Sequence, residues 1–292
     1  MIIISLSGGL GNQMFQYAFG KALSLKHGLR LSLETSFFDQ KFDSSTTPRS
    51  YALGCYELGS EVQVTKSKPV LLNGKLRRIS QLLHRIAPSK FFGFVVEKGF
   101  EFRPEYLEQS GANLYSGYWQ SYKYIQEARP YLLKDFKLRG DIGEQNRKYH
   151  ESILSSESIA LHIRRGDYIT NQSAASFHGV CSLSYYNKAL NYLGSKLENP
   201  KLFVFSDDPT WVKENLKSKF TTTFITGNES NPEFDIYLIS QCRHFVIANS
   251  SFSWWGAFLG ETSRSYVIRP QKWFAVDNEK TIDLCPKHWK AF

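Results

Sequence analysis

Chemistry-bearing side chains crowd the stretch His162-Ile163-Arg164-Arg165-Gly166-Asp167-Tyr168. An apolar run, Ile159-Ala160-Leu161, precedes it and reads as a buried strand, and Gly166 breaks the strand pattern. Alternation along a strand puts Ala160, His162 and Arg164 on one face. In an open α/β sheet, ligands bind at the carboxyl ends of strands. A guanidinium offers a planar fork of donors that matches phosphate, and two adjacent arginines at a strand end are costly without an anion. The stretch is therefore read as a phosphate site on a strand end, with His162 beside it. The competing reading is a strand terminus with solvated arginines and a turn at Gly166-Asp167.

Three other segments carry chemistry in the second half of the chain. Asn249-Ser250-Ser251-Phe252-Ser253 lies between an apolar strand and a helix, where backbone N–H groups form a ready anion site and serine hydroxyls add donors. Simple N-capping by a serine accounts for the same residues. Asp207-Asp208 follows an apolar strand, as metal-binding carboxylates do in one glycosyltransferase architecture. Those flank an intervening residue, and Asp208 precedes Pro209, so an N-cap with proline at the first helical position explains it better. No metal is expected. Asp235 opens the helix begun by Asn231-Pro232. It either complements the helix dipole or accepts two hydrogens from the Watson–Crick edge of guanine.

These side chains need elements to hold them. The first segment, Ile2 to Glu34, reads as strand, glycine-rich loop, helix from Met14 to a stop at Gly28, and strand: a βαβ unit. Gly9 and Gly11 fit two positions of a dinucleotide fingerprint, with Glu34 at a plausible distance, but Met14 fills the third, where a small residue is needed. Asn12 and Gln13 at the helix start suit hydroxyls of a neutral ligand, or Asn12 simply caps the helix. Tyr118, Trp119 and Gln120 after Gly117 suit a sugar ring or a domain core. Residues 75–87 read as a basic amphipathic helix, 122–133 as a helix and 138–157 as a linker. From 159 onward strands and helices alternate, which implies a parallel, Rossmann-like sheet.

The 292 residues allow two domains, taken as 1–150 and 151–292. Apolar content of 42% and aromatic content of 15% exclude a disordered chain. The net charge of +9 suits anionic partners: nucleotide phosphates, nucleic acid or an acidic membrane face. Cys55, Cys181, Cys242 and Cys285 show no metal or redox spacing and read as free thiols in a reducing compartment.

Taken together, Gly8-Gly9-Leu10-Gly11-Asn12-Gln13-Met14-Phe15-Gln16-Tyr17, Gly117-Tyr118-Trp119-Gln120-Ser121-Tyr122, His162-Ile163-Arg164-Arg165-Gly166-Asp167-Tyr168, Phe205-Ser206-Asp207-Asp208, Asn249-Ser250-Ser251-Phe252-Ser253-Trp254-Trp255 and Asp283-Leu284-Cys285-Pro286-Lys287-His288-Trp289 resemble the α-1,2-fucosyltransferases of glycosyltransferase family 11. The resemblance implies a GT-B-like α/β fold: two Rossmann-like domains with a cleft between them, the first on the acceptor side and the second binding GDP-fucose. It implies metal-independent, inverting transfer from GDP-β-L-fucose to the 2-hydroxyl of a β-galactoside, with no cofactor.

By analogy with other fucosyltransferases that share the HxRxGD pattern, His162 and Asp235 hold the guanosine. Arg164 and the loop Asn249, Ser250, Ser251, Phe252 hold the diphosphate. Gly9, Asn12, Gln13 and Gln120 lie on the acceptor side. Asp167 and Glu34 are candidate bases, or no dedicated base exists. The resemblance points to a bacterial, cytoplasmic enzyme of O-antigen or lipid-linked glycan synthesis that contacts the inner face of the membrane and binds no nucleic acid. Rival readings are a nucleotide-dependent oxidoreductase and a carbohydrate-binding protein.

Overall fold

A computed structural model describes residues 1–40, 48–66, 93–109, 113–166, 176–177, 179–276 and 280–292. The chain divides into two compact units, Met1–Arg139 with Glu279–Pro286, and Gly140–Asn278 with Lys287–Phe292. The division falls ahead of the one drawn after residue 150, and a late segment returns to the first unit.

The first unit holds β1 (Ile2–Ser5), α1 (Leu10–His27), β2 (Leu31–Glu34), β3 (Gln63–Thr65), β4 (Gly93–Val96), β5 (Asn113–Ser116), α2 (Tyr122–Ile125) and α3 (Arg129–Asp135). Its strands are parallel in the order β3-β2-β1-β5-β4: the chain winds outward from β1 to β3, crosses to the far edge at β4 and steps back inward to β5 beside β1. Helix α1 starts at Leu10, behind Gly9 as N-cap, and not at Met14. Asn12 therefore lies inside the first turn and is not the N-cap residue. Gly28 ends the helix in the left-handed conformation at φ 64°. The small residue that lets helix and sheet approach is Gly20, where a Cβ would stand 2.6 Å from Ile4 Cγ1. Met14 is buried, so the third fingerprint position plays no such part. The helix expected over 122–133 is two, because Pro130 opens α3 as a first-turn proline.

The second unit holds α4 (Gly143–Leu154), β6 (Ser158–Ile163), α5 (Leu183–Gly194), β7 (Lys201–Ser206), α6 (Pro209–Asn215), β8 (Thr221–Phe224), α7 (Pro232–Gln241), β9 (His244–Val246), α8 (Ser251–Gly260), β10 (Val267–Arg269) and β11 (Lys290–Ala291). Its parallel strands run β11-β10-β9-β6-β7-β8. The chain winds outward from β6 to β8, then crosses back and winds outward from β9. Strands buried on both faces explain the continuous apolar runs. Ile159, Leu161 and Ile163 of β6 pack with Leu202 and Val204 of β7 and with Tyr185, Tyr186, Ala189, Leu190 and Leu193 of α5. Alternation puts Ala160 and His162 on the opposite face of β6.

The linker expected over 138–157 is instead mostly helix α4. Its polarity hid it. It has no wide apolar stripe, and it docks through Asn146, whose side chain exchanges hydrogen bonds of 2.9 and 3.0 Å with Asn228. The basic helix expected over 75–87 lies outside the described residues. Among the described residues, no helix is long and apolar enough to cross a membrane.

Candidate active site

In the second unit the winding reverses between β6 and β9, and at such a point the loops leaving the two strands diverge and leave room for a ligand. His162 and Arg164 stand at the carboxyl end of β6. The N-terminus of α8 stands beyond that of β9. The His162 and Phe252 rings touch, with centroids 5.5 Å apart, so the strand end and the helix N-terminus meet.

The two arginines are not free cations waiting for an anion. Arg164 Nη1 lies 2.9 Å from Asp207 Oδ2. The backbone N–H of Arg165 donates to Asp207 Oδ1 at 2.8 Å, and its side chain pairs with Asp208 at 3.2 Å while lying 3.5 Å over the Trp211 ring. The register of β6 with β7, which sets Ile163 opposite Ser206, makes these pairs. Asp208 also accepts from the Trp211 N–H as the N-cap of α6, with Pro209 in the first turn. The N-cap expected of Asp208 is the one observed. Gly166 has a steric reason: a Cβ there would stand 2.6 Å from Asp207 Oδ2. Arg165 is fixed by stacking and pairing. Arg164 keeps one guanidinium edge on Asp207, and its remaining donors are oriented by that contact.

His162 is 5% exposed, and among the described residues its buried Nδ1 has no hydrogen-bond partner. Burial, reinforced by the Arg164 charge, lowers its pKa to about 3, so the imidazole is neutral at physiological pH. A buried ring nitrogen left unpaired costs about 1–3 kcal/mol, and a ligand that reached it would remove that cost. Ser250 caps α8 by accepting from the Phe252 N–H at 3.3 Å. Capping and anion binding are compatible, because one hydroxyl satisfies only one of the first-turn donors. Ser251 is the first residue of α8. Asn249 was expected to face the ligand, but its amide straps the fold together. It donates to the carbonyls of Gly179 and Trp273 and accepts from Cys181 Sγ. Asp167 lies outside the described residues.

Asp235 sits in the first turn of α7, which runs alongside α8. Gly256 and Gly260 of α8 allow this: a Cβ on Gly256 would meet Ile239 at 2.3 Å, and one on Gly260 the Ser240 carbonyl at 2.2 Å. Both helices follow strands of one parallel sheet, so both N-termini lie at its carboxyl edge. One oxygen of Asp235 accepts from Asn228 at 2.8 Å, and among the described residues no cation pairs with it. Burial raises its pKa to about 6 against the pull of that bond.

In the first unit the loops that follow the adjacent strands β1 and β5 meet. Gln120 Nε2 donates to Asn12 Oδ1 at 2.8 Å. Gln13 clamps the backbone, donating to the Gly8 and Ser50 carbonyls and accepting from the Ala52 N–H. Its amide is therefore committed to the scaffold rather than offered to a ligand. Gly9 lies beside Arg49, whose guanidinium is 3.8 Å from where a Cβ would be. Trp119 is core, stacked on Phe19 at 4.1 Å, whereas Tyr118 is 41% exposed. The candidate base Glu34 is fully buried, with one oxygen on Ser5 Oγ and the other on the Ser36 N–H.

The sequence profile described as Glycosyl transferase family 11 matches residues 1–290. The chain belongs to glycosyltransferase family 11. An Escherichia coli protein named alpha-1,2-colitosyltransferase is 30% identical over 298 residues, covering 99% of this chain and 98% of its own length. The Escherichia coli O-antigen biosynthesis glycosyltransferase WbnK is 32% identical, with coverage of 96% and 97%. Among solved structures, the fucosyltransferase NodZ from Bradyrhizobium aligns with a TM-score of 0.52 at 16% identity, over 88% of this chain and 92% of its own; NodZ co-crystallized with GDP aligns at 0.50. The fold is of the GT-B type, and this member of glycosyltransferase family 11 is a glycosyltransferase.

Residue-by-residue reading missed two features of the family 11 scaffold. Gln16 ties the Ser7 backbone N–H to the Gly117 carbonyl, at 3.0 and 2.9 Å. Glu97, at the end of β4, accepts from the backbone N–H groups of Tyr118 and Trp119 at 2.7 and 2.8 Å. Gln16 was legible only as one more buried position of α1. Glu97 carried no motif of its own.

Proposed function

We propose that this chain transfers L-fucose from GDP-β-L-fucose to the 2-hydroxyl of a galactoside, with inversion and without a metal ion, in the building of a surface glycan such as O-antigen. The observation that carries the reading is the meeting of Arg164, neutral His162 and the α8 N-terminus at the reversal point of the second sheet. Cleaving a sugar–phosphate bond leaves growing charge on the diphosphate. Preorganised guanidinium and helix N–H donors stabilise that charge where they are already oriented. Arg164 is oriented by Asp207, and the α8 N-terminus is fixed by the Ser250 cap and the Asn249 strap.

His162 and Asp235 take the guanosine in this proposal. A neutral imidazole suits an uncharged base or ribose, and a carboxylate with an unpaired oxygen suits the two donors of the guanine edge. GDP in the NodZ crystals supports the nucleotide, and the name of WbnK supports O-antigen as destination. The colitosyltransferase relative keeps a second donor sugar in view, colitose in place of fucose. An acceptor carried on a lipid would bring the enzyme to the inner membrane face.

The deciding experiment offers GDP-fucose and a colitose donor, each with a panel of galactose-terminated oligosaccharides and EDTA present, with products read by mass spectrometry. Fucosyl transfer to the galactose 2-hydroxyl is expected. Transfer of colitose alone would overturn the donor assignment, and activity lost on chelation would overturn the metal-free mechanism. NAD should not shift the melting temperature, whereas GDP should raise it.

A further inference from the structure

Glu97 stands at the carboxyl end of β4, beside β5 and one strand from β1. Among the described residues, only its Oε2 is engaged, by the N–H groups of Tyr118 and Trp119. The residue is partly exposed, and among the described residues no cation pairs with it. The carboxylate is wedged against the loop: a Cβ on Gly117 would stand 2.4 Å from Glu97 Cβ and 2.7 Å from Oε2. The clamp holds a strained backbone. Trp119 has φ 56°, left-handed for a bulky residue, a conformation that costs about 1–3 kcal/mol and gathers at functional sites. The same loop carries Gln120, bound to Asn12 in the glycine-rich loop, and exposes the ring of Tyr118.

Clamping alone needs only a neutral acceptor. A glutamine would hold both N–H groups without bringing a charge out of water. The chain has a carboxylate there, one oxygen fixed by backbone and the other directed to neither bond. We propose that Glu97 is the general base of the transfer reaction, its free Oε1 taking the proton of the acceptor hydroxyl while Tyr118 offers its ring face to the acceptor sugar. The proposal rests on the transferase reading above.

In the step, the hydroxyl oxygen forms a bond to C1 of the donor sugar. The C1–O bond to the diphosphate breaks, and its electron pair leaves with GDP. The hydroxyl proton passes to Oε1 and then to water. Burial pushes the Glu97 pKa up to about 7, against the pull of its two N–H bonds, which suits a base working near neutral pH. The other oxygen's bonds keep the group from swinging away.

The test is Glu97→Gln, which preserves an oxygen for the two N–H groups and removes the proton acceptor. The kcat for transfer is expected to fall about 10²- to 10⁴-fold. Acceptor KM and GDP affinity should stay close to wild type, and the melting temperature should be no lower. Glu97→Asp should recover part of the rate, and Tyr118→Ala should raise acceptor KM more than it lowers kcat. A Glu97→Gln variant with kcat within threefold of wild type would show a clamp only and overturn the inference. So would a loss of rate matched by lost GDP binding or a lower melting temperature. Wild-type protein that transfers no sugar would instead overturn the functional reading, and this inference with it.

Discussion

Asp235→Asn separates function from stability within one side chain. Burial raises the Asp235 pKa from 3.8 to about 6. Below pH 4 the carboxyl is protonated in both folded and unfolded chains and costs nothing. Between pH 4 and 6 the unfolded chain gives up its proton while the folded one keeps it. Above pH 6 the folded chain must ionise in a site that disfavours charge, and stability drops by the full difference. That is about two pKa units, or about 3 kcal/mol at 1.36 kcal/mol per unit. The dipole at the α7 N-terminus offsets roughly 0.3–1 kcal/mol of it.

Asparagine keeps an oxygen for Asn228 and removes the charge. Asp235→Asn should therefore melt higher than wild type at pH 8, by roughly 4–8 °C, and equal it at pH 4. Comparing variant with wild type at each pH cancels other titrations, including that of His162. The same change should weaken GDP about 10- to 100-fold, since hydrogen bonds to a charged group are worth about 1.5–3 kcal/mol. Melting curves across pH and isothermal titration with GDP read both effects. A variant no more stable at pH 8, or one that binds GDP as tightly as wild type, would show that the carboxylate serves the helix and not the nucleotide.

Arg164→Ala should lower kcat/KM by at least 10²-fold, as loss of a preorganised donor does, with the circular dichroism spectrum unchanged; near-normal turnover would remove Arg164 from the mechanism. Gly166→Ala should drive the Asp207 carboxylate off its 2.9 Å contact with Arg164, so kcat/KM should fall about tenfold with little change in melting. Asn249→Ala should cost about 2–3 kcal/mol from its lost backbone bonds, read by urea titration, and a cost under 0.5 kcal/mol would refute its role as a strap. Gly256→Ala should destabilise by about 1–3 kcal/mol through overpacking against Ile239, and GDP affinity should fall with it if α7 and α8 position one site.

Where apolar periodicity carried the signal, the elements were legible. β6, β7, β9 and the Ser182-capped α5 stand close to where their patterns put them. Helix α4 was not, because an amide pair rather than an apolar stripe docks it. Strands β3 and β11 were missed because each is too short to show a period: β3 is largely exposed at one sheet edge, and β11 has two residues. At the candidate site, residue types pointed to one strand end, but hydrogen-bond partners are not written in a linear pattern. Nothing in the sequence shows that Asp207 neutralises Arg164, or that Gln13, Asn249 and Glu34 turn their polar atoms inward. Amides and carboxylates beside glycine-rich loops look alike whether they hold a ligand or hold the loop.

Each unit is a parallel sheet, and the two differ in the charge of the loops at their carboxyl ends. At the reversal of the second unit stand Arg164, Arg165 and a helix N-terminus, each oriented by a carboxylate, a cap or a strap. In the first, the loops after β1 and β5 carry Asn12, Gln120 and the backbone of a glycine-rich loop, held by Gln13 and Gln16. Positive groups fixed in advance favour a ligand that gains negative charge as it reacts. Amides favour a ligand whose hydroxyls remain neutral until one is deprotonated, and that proton needs a taker. Glu97 supplies a carboxylate there, beside amides and an aromatic face. A transferase needs an anion hole for the leaving group and a hydroxyl site with a base for the acceptor; on the reading proposed above, guanidinium and helix ends supply the first, and amides and one half-engaged acid the second.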